Sequence, residues 1–294
     1  MTESGTIPQI ICQGDELLYP KLIFNRPVNP IQQPIVMFVH ESLPSLNQAY
    51  EAAAALKTKP QVALISSENP DQAAETMLGT QTLSPTDGPA IREALAMAEI
   101  NASFLSIGYH STLPSAVQIA LDQFLLTSTV PALLSGSLWQ LPAASPALLQ
   151  KPNLILNLTT VECIKLCNAL RIPVHTSAER GAYQLADLAQ SLLRHQSGLK
   201  VIISDDANVV MASQVTEGES NQPQIGLWHS HVELTHLQGY FVGVSAAMLA
   251  YPLRNIATDF CERLLNGTYL LQNSLTHERA IPTSLRRIYD SLNV

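Results

Sequence analysis

The sequence predicts an α/β domain, a doubly covered and mainly parallel sheet that ends in an antiparallel C-terminal meander. Short continuous apolar runs such as Ile35 to His40 (IVMFVH) suit strands buried on both faces. Segments with helical spacing separate these runs, so β and α units alternate. Late in the chain KVIIS and NVVMASQ are joined only by Asp205, Asp206 and Ala207, which predicts a tight hairpin.

Taken in order, residues 1–34 carry prolines at 8, 20, 27, 30 and 34, a density that forbids a long helix. They are expected to form an arm across the body or a neighbouring subunit, with a single domain over 35–294. After Ile35 to His40 comes an alanine-rich helix at Leu43 to Leu56, the strand Gln61 to Ser67 and a short helix at Asp71 to Leu78. A helix at Pro85 to Ala98, led by Asp87, feeds the strand Ser103 to Gly108, and Leu113 to Leu126 is helical. Val130 to Gly136 and Asn153 to Leu158 follow as strands, Val161 to Leu170 and Gly181 to His195 as helices. Beyond the hairpin strands lies a polar loop, Val215 to Gln224, and then a third short strand, Gly226 to His231. The remainder, Leu234 to Ala250, Ile256 to Leu271 and Ser284 to Leu292, is helical. Gly239, Gly243, Ser245, Ala246 and Ala247 let backbone approach backbone, so the first of these helices is expected to be central and packed on both sides. Its start, at the end of a strand, is also where α/β proteins gather unpaired N–H groups and hold phosphate.

The 294 residues are 46% apolar and 14% charged, enough for a sizeable buried core. With 16 basic against 24 acidic residues, the net charge of −8 argues against a nucleic-acid or anionic-membrane surface. A phosphorylated small ligand remains compatible, because such sites depend on local dipoles. The N-terminal residues lack the basic start and apolar run of a signal peptide, and no stretch approaches ~20 uninterrupted apolar residues. A cytoplasmic protein is the expectation. Cys12, Cys163, Cys167 and Cys261 are too few and scattered for a disulfide framework; Cys163 and Cys167 share one helical face and read as buried thiols.

The most metal-like group is Trp228, His229, His231, Glu233 and His236, since a strand would point His229 and His231 to one side. A metal site needs further ligands and supporting partners, which the sequence does not announce, so imidazoles at an exposed edge are the favoured reading and no metal is expected. Asp205 and Asp206 could bind magnesium or act as acid and base, and a polar turn explains them equally well. Ser111, Ser135 and Ser137 stand at strand ends without a GxSxG elbow. Gly108, Tyr109 and His110 close a strand before a helix at Pro114, where an open α/β sheet takes a ligand; His110 either touches that ligand or caps the helix. GxGxxG, GxxxxGK[ST] and CxxC are all absent.

From about Ala90 to Leu292 the order of elements resembles the ribokinase-like superfamily, specifically the nucleotide-dependent NAD(P)H-hydrate dehydratases of the carbohydrate-kinase-like family. SFLSIGYHST falls where that family reads a strand ending IGPGLG, with Ile107 and Gly108 in agreement. VPALLSGSLWQL falls on its DADAL segment, with Ser135 and Ser137 in place of both aspartates. ILNLTTVECIKL resembles LTPHPGEFARL and keeps Glu162, while Thr159 and Thr160 replace the His-Pro pair. KVIISDDANVVMA resembles VLKGAGTVVA with Ser204 for the lysine, and Asp205 and Ala207 for the glycines. HLQGYFVG stands at GSGDVLAG, where only Gly243 agrees and Gly239 occupies the place of the catalytic aspartate.

The resemblance implies a ribokinase-like fold with ATP or ADP and magnesium as cofactors, and a homo-oligomer. It also implies a vestigial nucleotide site at Ser204, Asn208, Gln238, Gly239 and Gly243, and a vestigial substrate pocket at Gly108, Tyr109, His110, Ser135, Ser137 and Glu162. Gly239 has no side chain to transfer a proton, and His236, Leu237 and Gln238 add bulk where backbone would approach phosphate. The expected function is therefore a non-catalytic binding or assembly module. One alternative is an enzyme of the same class rebuilt on Glu162, Asp205 or Asp206; another is a new activity around His110 or the His229, His231 and Glu233 group.

Overall fold

The computed structural model describes residues 9–11, 17–18, 33–41, 43–66, 80–174, 181–196, 198–214, 223–230, 233–251, 256–275 and 280–292. The described strands are β1 (Gln9–Ile11), β2 (Leu17–Leu18), β3 (Ile35–His40), β4 (Lys59–Ile65), β5 (Thr80–Leu83) and β6 (Phe104–Tyr109), then β7 (Ala132–Gly136), β8 (Leu154–Thr159), β9 (Lys200–Ser204), β10 (Asn208–Gln214) and β11 (Pro223–His229). The described helices are α1 (Leu43–Ala55), α2 (Gly88–Asn101), α3 (Ser115–Thr127), α4 (Gln140–Ala144) and α5 (Thr160–Ala169), then α6 (Ala182–His195), α7 (Gln238–Ala250), α8 (Ile256–Leu275) and α9 (Ile281–Leu292).

All eleven described strands join one sheet in the order β2-β1-β11-β10-β9-β8-β7-β6-β3-β4-β5. From β5 to β9 every pairing is parallel, and β10, β11, β1 and β2 continue it antiparallel. The expected doubly covered sheet with its antiparallel C-terminal meander is therefore observed, and two short strands of the N-terminal arm extend that edge.

Alternation along each strand explains why the strand sequences run apolar without a break. Met37, Val39, Leu105, Ile107, Leu134 and Leu156 face a core with residues of α2, α3 and α6. Their neighbours Val36, Phe38, Phe104, Leu133 and Ile155 face a second core with α1, α7 and α8. Each layer removes one side of the sheet from water, so neither side needs polar residues. Helix α7 lies between α1 and α8, and from Phe241 to Ala250 every residue is buried, as its small residues predict.

Local signals account for several boundaries. Asp87 accepts a hydrogen bond from the Ala90 N–H (3.0 Å) and caps α2. The hairpin forms because Asp205 Oδ1 accepts the N–H groups of Ala207 (2.9 Å) and Asn208 (2.7 Å), folding the chain back on itself. Strand β5, too short and polar to stand out in the sequence, adds an outer parallel strand, and 3₁₀ turns with α4 fill the β7–β8 connection. Strand β11 runs from Pro223 to His229, earlier than its sequence pattern suggests, and a 3₁₀ turn at Leu234–His236 precedes α7. The expected helix Asp71 to Leu78 and the residue His231 lie outside the described residues. Among the described residues no helix is long and apolar enough to cross a membrane.

Candidate ligand-binding site

The sheet reverses its winding between β3 and β6, and in open α/β sheets the crevice beyond the carboxyl ends at such a point is the usual place for a ligand. Here the crevice is filled from within. Glu41, just after β3, accepts the N–H groups of His110 (2.8 Å) and Ser111 (3.0 Å) on Oε2, and the Ser111 hydroxyl on Oε1. Partial burial pushes the Glu41 carboxyl up, but the Ser111 hydroxyl and the two amides outweigh this and hold its pKa below the usual range. Ser137 Oγ donates to Tyr109 O (2.8 Å) and Ser111 O (2.7 Å), tying the β7 loop to the β6 loop.

Between them Gly136 adopts φ +68°, and a Cβ there would stand 2.2 Å from Tyr109 O. Gly136→Ala is expected to destabilise the chain by roughly 1–3 kcal/mol through backbone strain, read as a lower urea midpoint. An unchanged midpoint would show that this edge is looser than its contacts indicate.

One layer below, strand register lines up His40, Gly108, Ser135 and Asn157 across β3, β6, β7 and β8 on the face covered by α7. The row is mostly closed. A Cβ on Gly108 would meet the His40 ring at 2.7 Å, His40 Nε2 bonds Ser106 Oγ (3.1 Å), and Ser135 Oγ donates to Ile107 O (3.3 Å).

Among the described residues the Asn157 end of the row opens. There a cavity of about 400 Å³ lies between β8, the β9–β10 hairpin and the start of α7. Asn157 and Ser204 line it from the sheet, Thr160 and Val161 from α5, Asp205 and Asp206 from the hairpin, and Leu234, Gln238 and Phe241 from the approach to α7 and its first turn. Thr160 Oγ1 donates to Ser204 O (3.2 Å). Asp205 is consumed by the turn, its two oxygens also taking Asn208 Nδ2 at 3.0 and 3.1 Å. Asp206 is exposed, and its carboxylate bonds no described residue.

The residues that the resemblance groups together thus divide. Ser204 and Gln238 line the cavity; Asn208 is bonded to Asp205 beside it, and Gly239 follows Gln238 in α7. Gly243 packs against α1 instead. Gly108 and Ser135 belong to the closed row, Tyr109 to the core on the opposite face, and His110 and Ser137 to the tied loops. Glu162 forms a capping box with Thr159 at the start of α5: Oε2 accepts the Thr159 N–H (2.8 Å), and Thr159 Oγ1 accepts the Glu162 N–H (3.2 Å).

The metal-like group disperses as well. Trp228 is a core residue that stacks on Phe241 (centroids 5.9 Å apart) and donates from Nε1 to Gln272 (3.3 Å). His229 Nδ1 bonds Asn208 Oδ1 (2.9 Å), while Glu233 pairs with His236 (3.7 Å) on the surface. Among the described residues no three His, Cys, Asp or Glu gather around a point that could hold a metal ion. Cys163 and Cys167 are buried on α5; their mutual hydrogen bond, with burial, raises the Cys163 pKa. Asn157 is the polar residue of the cavity that sequence reasoning missed. Its signal is a lone amide at the carboxyl end of an otherwise apolar strand, two residues beyond Ile155 and therefore on the same face.

Neither a protein-family profile nor a curated protein sequence matches the chain. Solved structures do. The hypothetical protein SMU.573 from Streptococcus mutans matches with a TM-score of 0.61 at 14% identity, over 92% of this chain and 95% of that one. YxkO of Bacillus subtilis, a member of the UPF0031 family, matches at 0.51 and 14% identity over 88% and 92%. Ribokinase from Cryptococcus neoformans, solved with ADP, matches at 0.50 and 12% identity over 88% and 99%. The fold is ribokinase-like. On that scaffold the cavity sits at the carboxyl edge of the sheet, beside the first turn of α7.

Proposed function

We propose that the chain is a non-catalytic binding or assembly module on a ribokinase-like scaffold, related to the NAD(P)H-hydrate dehydratases, with its ligand in the cavity beside α7. The observation that carries this reading is the mouth of that helix, where Leu237 leads into Gln238, Gly239 and Tyr240. No carboxylate stands on the turn that holds the catalytic aspartate of the resembled enzymes. Asp205 is bound into its hairpin, and the amides at the switch point already hold Glu41. Among the described residues no lysine or arginine lines the cavity, and two aspartates do, which does not fit a nucleotide polyphosphate.

Purified protein given hydrated NADH with ATP or ADP and magnesium is expected to show no dehydration above buffer. Its melting temperature should stay flat against ATP, ADP and NADPH, whereas a ligand at about 100 times its dissociation constant would add about 2.7 kcal/mol. Turnover would overturn the reading.

A second reading, an active dehydratase or small-molecule kinase with a rebuilt site, is favoured by the unbonded Asp206 carboxylate. A general acid or base contributes about 10²- to 10⁴-fold, so under that reading Asp206→Asn lowers kcat by that factor. Assembly into homo-oligomers, which the resemblance implies, is tested by light scattering of the eluting peak; a monomer mass at working concentration would remove the assembly role.

A further inference from the structure

We infer that the cavity takes a small organic cation, an amine whose ammonium group meets Asp206 while its body packs on the apolar wall and a polar group reaches Asn157. This deepens the binding reading above and rests on it. Asn157 is 7% exposed and lines the cavity, yet its amide has no hydrogen-bond partner among the described residues. Its donor and acceptor therefore face the cavity uncommitted to the chain, and a ligand offering either one can bond them there.

Of the neighbouring polar side chains, those of Ser204 and Gln238 are neutral and, like Asp206, bond no described residue, while the others are committed. Thr160 is spent on the Ser204 carbonyl, and Asp205 on its turn. Asp206 is the charged member of the unbonded set: its backbone carbonyl accepts the Leu234 N–H (3.0 Å), which fixes the residue at the rim while its carboxylate stays unbonded among the described residues. A carboxylate held at the mouth of a partly apolar pocket selects a cation with N–H donors and repels phosphate. The wall is stiff, since Phe241 stacks on the buried Trp228, with Leu234 and Val209 beside it. About 400 Å³ lies within the roughly 300–1,000 Å³ of small-molecule sites and accommodates an aromatic or aliphatic amine.

Isothermal titration of the full chain with phenethylamine and 4-(aminomethyl)benzamide tests this, with 2-phenylethanol as the uncharged counterpart. Saturable binding of the amines is expected, with the alcohol at least about tenfold weaker. Asp206→Asn should weaken the amines about tenfold or more and Asp206→Glu should retain them, while Asn157→Leu should weaken the benzamide more than phenethylamine. Circular dichroism melts confirm that each variant is folded. Equal affinity for the alcohol, equal affinity in Asp206→Asn, or no amine binding at millimolar concentration overturns the inference. Amine binding accompanied by turnover of hydrated NADH would instead retain the ligand class and remove the non-catalytic reading, so the two fail separately.

Discussion

Gly243→Val is expected to destabilise the chain by more than about 3 kcal/mol, enough to leave much of it insoluble, and Gly243→Ala by a smaller amount of the same sign. A Cβ at this position would lie 2.2 Å from the carbonyl oxygen of Ala49, 2.7 Å from its Cα and 2.8 Å from its carbonyl carbon. All three are backbone atoms of α1, so no rotamer change relieves the contact. Helices α1 and α7 would have to part, loosening Leu46, Ala52, Ala53, Ala246 and Ala247, which are completely buried around this crossing. Helix propensity alone gives the opposite sign, since alanine is favoured over glycine in a helix interior by about 0.5–1 kcal/mol. Urea unfolding of Gly243→Ala therefore discriminates: a raised midpoint would show that propensity wins and that the helices are not in such close contact.

Gly243 also shows how far the sequence could be read. Its small neighbours predict a central helix, and that follows from composition alone, because a helix lacking polar residues on every side must be buried. Which partner approaches it depends on α1, almost two hundred residues earlier in the chain. The same distance separates what was legible at the carboxyl edge from what was not. Strands such as IVMFVH and the turn at Asp205 are local patterns. Glu41 meets Ser111 across 70 positions, and His40, Gly108, Ser135 and Asn157 form a row only once four strands pair in one register. Side-chain phase was decisive for Trp228. His229 is the next residue, and period-two alternation sends one ring into the core and leaves the other at the edge. Glu162 stands in the sequence as a retained family position, and its observed contacts are those of a helix cap.

Acid is expected to destabilise the chain well above the range where carboxylates titrate, because of His40. The ring is 3% exposed at the end of β3, edge-on to Phe38, with Nε2 bonded to Ser106 and Nδ1 without a partner. Burial, with a smaller contribution from the nearby His110, lowers its pKa from 6.5 to about 3. Between these two values the unfolded chain binds a proton that the folded chain does not, so stability rises with pH across the window. Above pH 6.5 the contribution is complete; it declines as pH falls towards 3, by up to about 1.4 kcal/mol per unit. At pH 4.5 the loss from this one group would reach roughly 2–3 kcal/mol. Glu41, Glu99 and Asp290, whose pKa values are lowered, lose their contributions only at or below their ordinary values of 4.5, 4.5 and 3.8. Urea midpoints between pH 7.5 and 5 therefore isolate the imidazole from them. His40→Gln, which keeps an amide in reach of Ser106, should flatten the profile across that interval. A native chain equally stable at pH 7.5 and 5, or a variant with the native slope, would remove His40 as the source.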